Sequence, residues 1–291
     1  MREAIRVENI SHRFGKKNVL EDISVTFEEG KIYGLLGRNG SGKSTLISIM
    51  ANQLIPDSGK VFVNGEYIGK NMDLLENICT VKEKETFSSD SRVKDIFNVY
   101  SLFFDSYDKE YEKYLTKKFN INIKKGYTGL SRGQKSAVAI ITALSANAPI
   151  TVLDEPTVGL DEANRKIFYD ELIDRYSETG NTYIIATHMI GEMENIIEHA
   201  VIIDENKVVL DEDISDTLEK SYIVSGNEED IRKLEFFDDM KHISKVGNTD
   251  TYFIYRNMND DDIKNIRENN IAIEHTDYRT VFLNVTGGGQ I

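Results

Sequence analysis

Apolar residues alternate with polar ones at Ile5 and Val7, and again at Ile23, Val25 and Phe27, the period of two expected of strands with one buried face. Lys31 to Leu36 is apolar enough for a fully buried strand, whereas Leu46, Ile47, Ile49, Met50 and Leu54 recur at helical spacing. The stretch between them therefore joins a strand to a helix. Pro56-Asp57-Ser58-Gly59 reads as a turn, and Val61-Phe62-Val63 runs into Asn64-Gly65, a strong hairpin signal. Asn77 to Val81 is a further strand candidate.

The pattern changes at Ser91. From there to Phe119, Val93, Ile96, Phe97, Tyr100, Leu102, Phe103, Tyr111, Tyr114 and Leu115 recur at intervals of three and four, which predicts two helices in an insert spanning about 84–130. A helix should open at Leu130-Ser131-Arg132-Gly133-Gln134 and end before Pro149, followed by a buried strand Ile150 to Leu153. Helices near Glu162 to Tyr176 and Met189 to His199 then alternate with strands at Thr182 to Thr187, Ala200 to Ile203 and Val208 to Leu210. Strands alternating with helices mean an α/β sheet with helices on its faces. Beyond residue 214 the order loosens. Strands are expected near 222–224, 243–246, 251–255 and 271–273, with helices near 228–236 and 260–268, so 215–291 is expected to form a small α+β domain behind a main domain of 1–214.

Composition narrows the function. The 291 residues carry 49 acidic and 35 basic side chains, a net charge of −14, which repels a polyphosphate backbone and disfavours sequence-independent nucleic-acid binding. The single cysteine, Cys79, has no internal partner for a disulfide and reads as a small core residue, consistent with a cytoplasmic protein. The longest uncharged run, Ser136 to Leu153, is interrupted by Ser145, Asn147 and Pro149, so no membrane span is expected.

The strand-to-helix link Gly37-Arg38-Asn39-Gly40-Ser41-Gly42-Lys43-Ser44 fits the phosphate-binding pattern G-x-x-x-x-G-K-[ST]. Glycines at 37, 40 and 42 permit positive φ and leave no Cβ between the amides and an anion, and the following helix adds its positive end. Lys43 is the point charge for β- and γ-phosphates; the Ser44 hydroxyl is a hard oxygen ligand suited to Mg²⁺. Gly37, Asn39, Gly40, Ser41, Gly42, Lys43, Ser44 and Thr45 are thus the expected nucleotide contacts.

From Gly37 to His188 the chain resembles the ATP-binding cassette of ABC transporters. Leu130 to Gln134 is similar to the signature LSGGQ, with Arg132 at a position that is usually glycine; Ile150 to Asp154 resembles the Walker B strand and Gly159-Leu160-Asp161 the D-loop. The resemblance implies a P-loop NTPase fold with a mixed sheet core, antiparallel β and α-helical subdomains, and ATP with Mg²⁺ as ligands. It makes Asp154 the magnesium carboxylate beside Ser44, Glu155 the general base and His188 the switch histidine. Phe14 stands where an aromatic ring faces the adenine, a position a core phenylalanine would fill equally well. Ser131, Gly133, Gln134 and Asp161 would complete the nucleotide site of a second cassette, identical or related. Glu83 aligns with the Q-loop glutamine, where the family has Pro-Gln and this chain reads Lys82-Glu83-Lys84-Glu85; a carboxylate there adds charge and loses an amide donor. The other histidines, His12, His199, His242 and His275, read as structural or surface residues.

The resemblance implies a cytoplasmic ATPase subunit bound to the inner face of the membrane through a separate membrane-spanning subunit. The segment Arg279 to Gly287 is similar to the tail of exporter cassettes of Gram-positive bacteria, which points to export of a peptide, antibiotic or lipid-like substrate. The alternatives are an importer ATPase, or a soluble ATPase of the same class acting on ribosomes or DNA. A GTPase is disfavoured because Asn206-Lys207 is followed by Val208-Val209 and not by the x-Asp that guanine recognition requires.

Overall fold

The computed structural model describes residues 2–82 and 90–287. Its elements follow in the order β1 (Glu3–Phe14), β2 (Lys17–Glu28), β3 (Ile32–Leu36), α1 (Lys43–Met50), β4 (Ser58–Val63), β5 (Glu66–Tyr67), β6 (Ile78–Lys82), α2 (Val93–Phe103), α3 (Lys109–Lys118), α4 (Arg132–Ala146), β7 (Ile150–Asp154), α5 (Glu162–Thr179) and β8 (Thr182–Thr187). Then come β9 (His199–Asp204), β10 (Lys207–Asp213), α6 (Ile214–Glu219), β11 (Ser221–Gly226), α7 (Glu228–Ile231), β12 (Lys241–Val246), β13 (Thr249–Tyr255), α8 (Asp260–Glu268), β14 (Ala272–His275) and α9 (Tyr278–Val285). Two units result: Met1–His188 with Ile203–Val208, and Met189–Ile202 with Val209–Ile291.

In the first unit β2, β1, β4 and β5 lie side by side as an antiparallel sheet. Its register sets Val7 opposite Val25 on one side and Val61 on the other, so the alternating apolar positions share a face. Asn64 and Gly65 both adopt positive φ in the turn from β4 to β5, as a two-residue hairpin requires. In the second sheet β7 lies parallel between β6 and β8, and β8 parallel beside β3. Every residue of β3, β7 and β8 is buried, which explains why these strands read as continuous apolar runs.

The helical insert is joined to α5 through ions. Glu171 on α5, 2% exposed, accepts hydrogen bonds from Tyr111 (2.8 Å), Tyr114 (2.9 Å) and Lys118 of α3. The buried guanidinium of Arg175 stacks over Tyr111 and bonds to Asp108, the residue capping α3. At the other end of α4, Gly133 lies against the loop between β7 and α5. A Cβ there would fall 2.4 Å from the carbonyl oxygen of Gly159, while Ser136 Oγ donates to the carbonyl of Val158 at 2.6 Å.

In the second unit β11, α7, β12, β13, α8 and β14 follow as β-α-β-β-α-β, and the strands lie in the order β12-β13-β11-β14 with all pairs antiparallel. This is a ferredoxin-like arrangement. Val224, Ile231, Ile254 and Ile266 are fully buried at its core. Two expectations are corrected here. The helix expected over Met189 to His199 is a single 3₁₀ turn, Ile190–Glu192, followed by tight turns, and β9 already begins at His199. Ile190, Met193 and Ile197 are buried, so helical spacing is kept by successive turns without a continuous helix, and Gly191 weakens the first of them. The helix expected near 228–236 stops at Ile231, and turns carry Leu234 and Phe236 into the core.

His199 lies between two carboxylates, with Nδ1 2.6 Å from Asp213 and Nε2 2.7 Å from Asp211. Burial opposes a charged ring, but the hydrogen bonds the ring donates to both carboxylates outweigh it and raise the pKa. A folded-state pKa above the unfolded value gives stability that is complete below about pH 6.5 and lost as pH rises through the folded value. His199→Gln should therefore lower the thermal midpoint more at about pH 6 than at about pH 9; an equal loss at both would rule out a charged ring. For Gly133→Ala, overpacking against the Gly159 carbonyl costs about 1–3 kcal/mol, against the roughly 1 kcal/mol that better helix propensity returns. Net destabilisation in a denaturant titration is expected, and a stabilised variant would show that the loop yields freely.

Candidate functional site

The link from β3 to α1 is fixed from outside as well as by its own sequence. Gly40 and Gly42 have φ of +83° and +108°, and a Cβ on Gly42 would lie 2.6 Å from the Leu20 side chain and 2.7 Å from the Val19 carbonyl oxygen. Only glycine fits where β2 presses on the loop. At Gly37 a Cβ would meet the Ile203 carbonyl oxygen at 2.4 Å. Lys43 is 6% exposed, and its Nζ spans the loop to the carbonyl oxygens of Gly37 (2.7 Å) and Arg38 (3.2 Å). Burial lowers its pKa, opposed by the charges of Glu155 and Asp154. Asn39, Gly40 and Ser44 are exposed, Thr45 is half-buried, and Ser41 is buried with a hydroxyl that has no partner among the described residues.

Asp154 closes β7 and is 6% exposed. Burial raises its pKa; a hydrogen bond from Ser44 and the charges of Lys43 and Lys82 work in the opposite direction. Its Oδ1 has no hydrogen-bond partner among the described residues. A buried, unpartnered carboxylate oxygen beside an exposed hydroxyl is a donor set suited to Mg²⁺, which takes its remaining ligands from water and phosphate.

Glu155 has φ of +52°, a left-handed conformation uncommon for a residue with a side chain, and its amide donates to the carbonyl of Ala186 at 2.8 Å. The turn directs the carboxylate away from Asp154 and towards the end of β8. There Oε1 lies 2.8 Å from His188 Nδ1, and Oε2 accepts from Thr187 at 3.4 Å. Glu155 is mostly buried and His188 43% exposed, so the pair forms a carboxylate held by an imidazole at the carboxyl edge of a parallel sheet, where ligands of such sheets bind.

The remaining predicted residues lie in two other places. Phe14 ends β1 with 56% of its surface exposed, edge-on to His12 at 4.8 Å between centroids, which makes it an available ring face and not a core side chain. Ser131 and Gln134 cap α4 reciprocally: the Ser131 hydroxyl accepts from the Gln134 amide and Gln134 Oε1 accepts from the Ser131 amide, each at 3.2 Å. Gly133 and Asp161 flank the same loop, and Asp161 caps α5 by accepting from Asn164 at 2.8 Å. The stem of Arg132 lies across Gly159. Glu83 lies outside the described residues. Sequence reasoning missed Lys82, whose Cα is paired with that of Asp154 and whose ammonium bonds to α1; its residue type before Glu83 was visible, but its reach was not. Of the four histidines read as structural or surface residues, His12 is buried.

Comparison with known proteins agrees with this geometry. The sequence profile of the ABC transporter family matches residues 20–158. An uncharacterised ABC transporter ATP-binding protein of Methanocaldococcus jannaschii is 32% identical over 214 residues, covering 72% of this chain and 77% of that protein. The linearmycin resistance ATP-binding protein LnrL of Bacillus subtilis is 30% identical, covering 70% of this chain and 68% of its own length. The zinc uptake system ATP-binding protein ZurA of Listeria innocua is 27% identical, covering 72% and 86%. Among solved structures, CbiO1 of Clostridium perfringens, part of the transporter complex CbiONQ, superposes with a TM-score of 0.60 at 26% identity, over 81% of this chain and 96% of that one. With a profile match through the phosphate loop and Walker B strand, and a relative 32% identical along most of its length, the chain belongs to the ABC transporter family as an ATP-binding subunit, an ATPase.

Proposed function

We propose that this ATPase powers export through a separate membrane-spanning subunit, with two cassettes closing head to tail on ATP. The observation that carries the catalytic part is the Glu155–His188 pair beside the Lys43, Ser44 and Asp154 cluster. The loop amides, Lys43 and the α1 N-terminus bind the phosphates; Ser44 and Asp154 would hold Mg²⁺, which supplies charge neutralisation at the β- and γ-phosphates. Glu155 takes the proton from a water whose oxygen attacks the γ-phosphorus as the bond to the β–γ bridging oxygen breaks. His188, through Nδ1, holds the carboxylate in orientation for that transfer. Phe14 offers the adenine a ring face. Ser131, Gly133, Gln134 and Asp161 serve the nucleotide of the second cassette.

Export is favoured by the likeness to a resistance protein and by the exporter-like segment Arg279 to Gly287; the zinc-uptake relative supports an importer as the second reading. The net charge of −14 speaks against action on ribosomes or DNA. Among the described residues no helix is long and apolar enough to cross a membrane, which fits a peripheral subunit on the cytoplasmic face, reached through its partner. The partner surface we assign to the insert. Val99 and Phe103 of α2, 63% and 56% exposed, line a groove of about 440 Å³ with Gln53, Leu75 and Phe104, and Leu102 beside them is 85% exposed. Residues 215–291 we assign to an accessory role.

Glu155→Gln should retain ATP, accumulate a dimer in light scattering and slow phosphate release by about a hundredfold or more; unchanged release would remove Glu155 as the base. Phe103→Asp should abolish co-purification with a multi-span membrane protein while ATP binding persists, and undiminished co-purification would place the docking surface elsewhere.

A further inference from the structure

The last residue of β6 places a cation, which the family pattern does not assign, against the helix that follows the phosphate loop. Lys82 is half-buried; its Nζ donates to Ser48 Oγ at 2.8 Å and to Gln53 Oε1 at 2.5 Å. Ser48 Oγ in turn donates to the carbonyl oxygen of Ser44 at 2.7 Å. The ammonium thus grips α1 near its middle and the turn just after its end, and through Ser48 reaches its first turn, where Lys43 and Ser44 lie. In the parallel register Lys82 is paired with Asp154, and its charge acts on that carboxylate. One side chain therefore connects the strand beside β7 to the helix that carries the phosphate-binding lysine.

We infer that Lys82 is a positioning residue of the ATP site, a charged brace that sets the distance between α1, with Lys43 and Ser44, and the Asp154 carboxylate. The inference rests on the assignment of the Lys43 and Asp154 region as the nucleotide site. Lys82 touches no substrate in this role. Its effect is on where the first turn of α1 stands when the phosphates arrive, so it should appear in nucleotide affinity and not only in stability. Charge-assisted hydrogen bonds hold such geometry more firmly than neutral ones, and lysine brings reach as well as charge. Gln53, one anchor of the brace, also lines the groove beside α2, so displacement of Gln53 by an occupant of the groove would reach the phosphate site through Lys82.

The test compares Lys82→Met, which keeps most of the length and loses the charge, with Lys82→Arg. Affinity for a fluorescent ATP analogue is measured by titration with and without Mg²⁺, together with kcat, KM and thermal midpoint. For Lys82→Met, affinity should fall by about tenfold, the effect of losing a charged hydrogen bond, with the rise in KM exceeding the fall in kcat and with substantial recovery in Lys82→Arg. Wild-type affinity in Lys82→Met would overturn the proposal. So would a loss that matches a collapse in thermal midpoint and is not recovered by arginine. If Lys82→Met fails to fold, Ser48→Ala and Gln53→Leu remove the anchors singly and together; unchanged affinity in the double variant overturns the brace equally. Lys43→Ala separates the two levels: ATP binding that survives Lys43→Ala refutes the site itself, whereas binding lost with Lys43 and indifferent to Lys82 refutes only the brace.

Discussion

Burial of β7 on both faces is the constraint from which the site follows. A strand in the middle of a parallel sheet has no free hydrogen-bonding edge and no exposed side, so each residue from Ile150 to Asp154 is buried and the chain cannot slide by one position without turning every side chain to the other face. Asp154 is thereby fixed at the carboxyl edge, in register with Lys82 on one neighbour and Ala186 on the other. The change to a left-handed residue at Glu155 then lets two consecutive carboxylates do different work. One faces Ser44 and the helix it begins, and the other faces His188. Without the rigid strand, that division of labour would be lost, since adjacent acids in a flexible loop would share one environment.

Much of this was legible in the residues because the demanding positions accept few types. At Gly37 and Gly42 a Cβ would collide with Ile203 and with Leu20 and Val19, and that is why the pattern carries information. Buried strands announced themselves as apolar runs, and the hairpin at Asn64-Gly65 by its positive φ requirement. The helix α2, which buries Val93, Ile96 and Phe97, was equally clear from spacing. What was not legible depends on tertiary neighbours. The apolar spacing of Ile190, Met193 and Ile197 is satisfied by consecutive turns as well as by a helix, and nothing local chooses between them. The second unit's strand order requires pairing across tens of residues, and its β-α-β-β-α-β path emerged only from the register of β11 with both β13 and β14.

The charged residues show the same division. Glu171 and Arg175 lie on a helix whose sequence looks like an ordinary solvated face, yet both are buried and tie α3 to α5 through Tyr111, Tyr114, Lys118 and Asp108. Removing one partner of such buried pairs leaves a charge unpaired and is strongly destabilising. Here they fasten the far end of the helical insert to the helix that follows the Asp161 loop. Motion at the insert and motion at that loop are therefore not independent.

The reciprocal cap at the start of α4 has a consequence for reversibility. The amides of Ser131 and Gln134 already have acceptors within their own chain, in the Gln134 side chain and the Ser131 hydroxyl. An anion arriving at this helix end must displace at least one of those internal acceptors, exchanging a bond of similar kind and gaining mainly the interaction with the helix dipole. Such an exchange releases little free energy in either direction. In the two-cassette closure proposed above, a contact built this way would be made when a triphosphate is present and given up once the terminal phosphate has gone, as a repeatedly opening and closing surface requires.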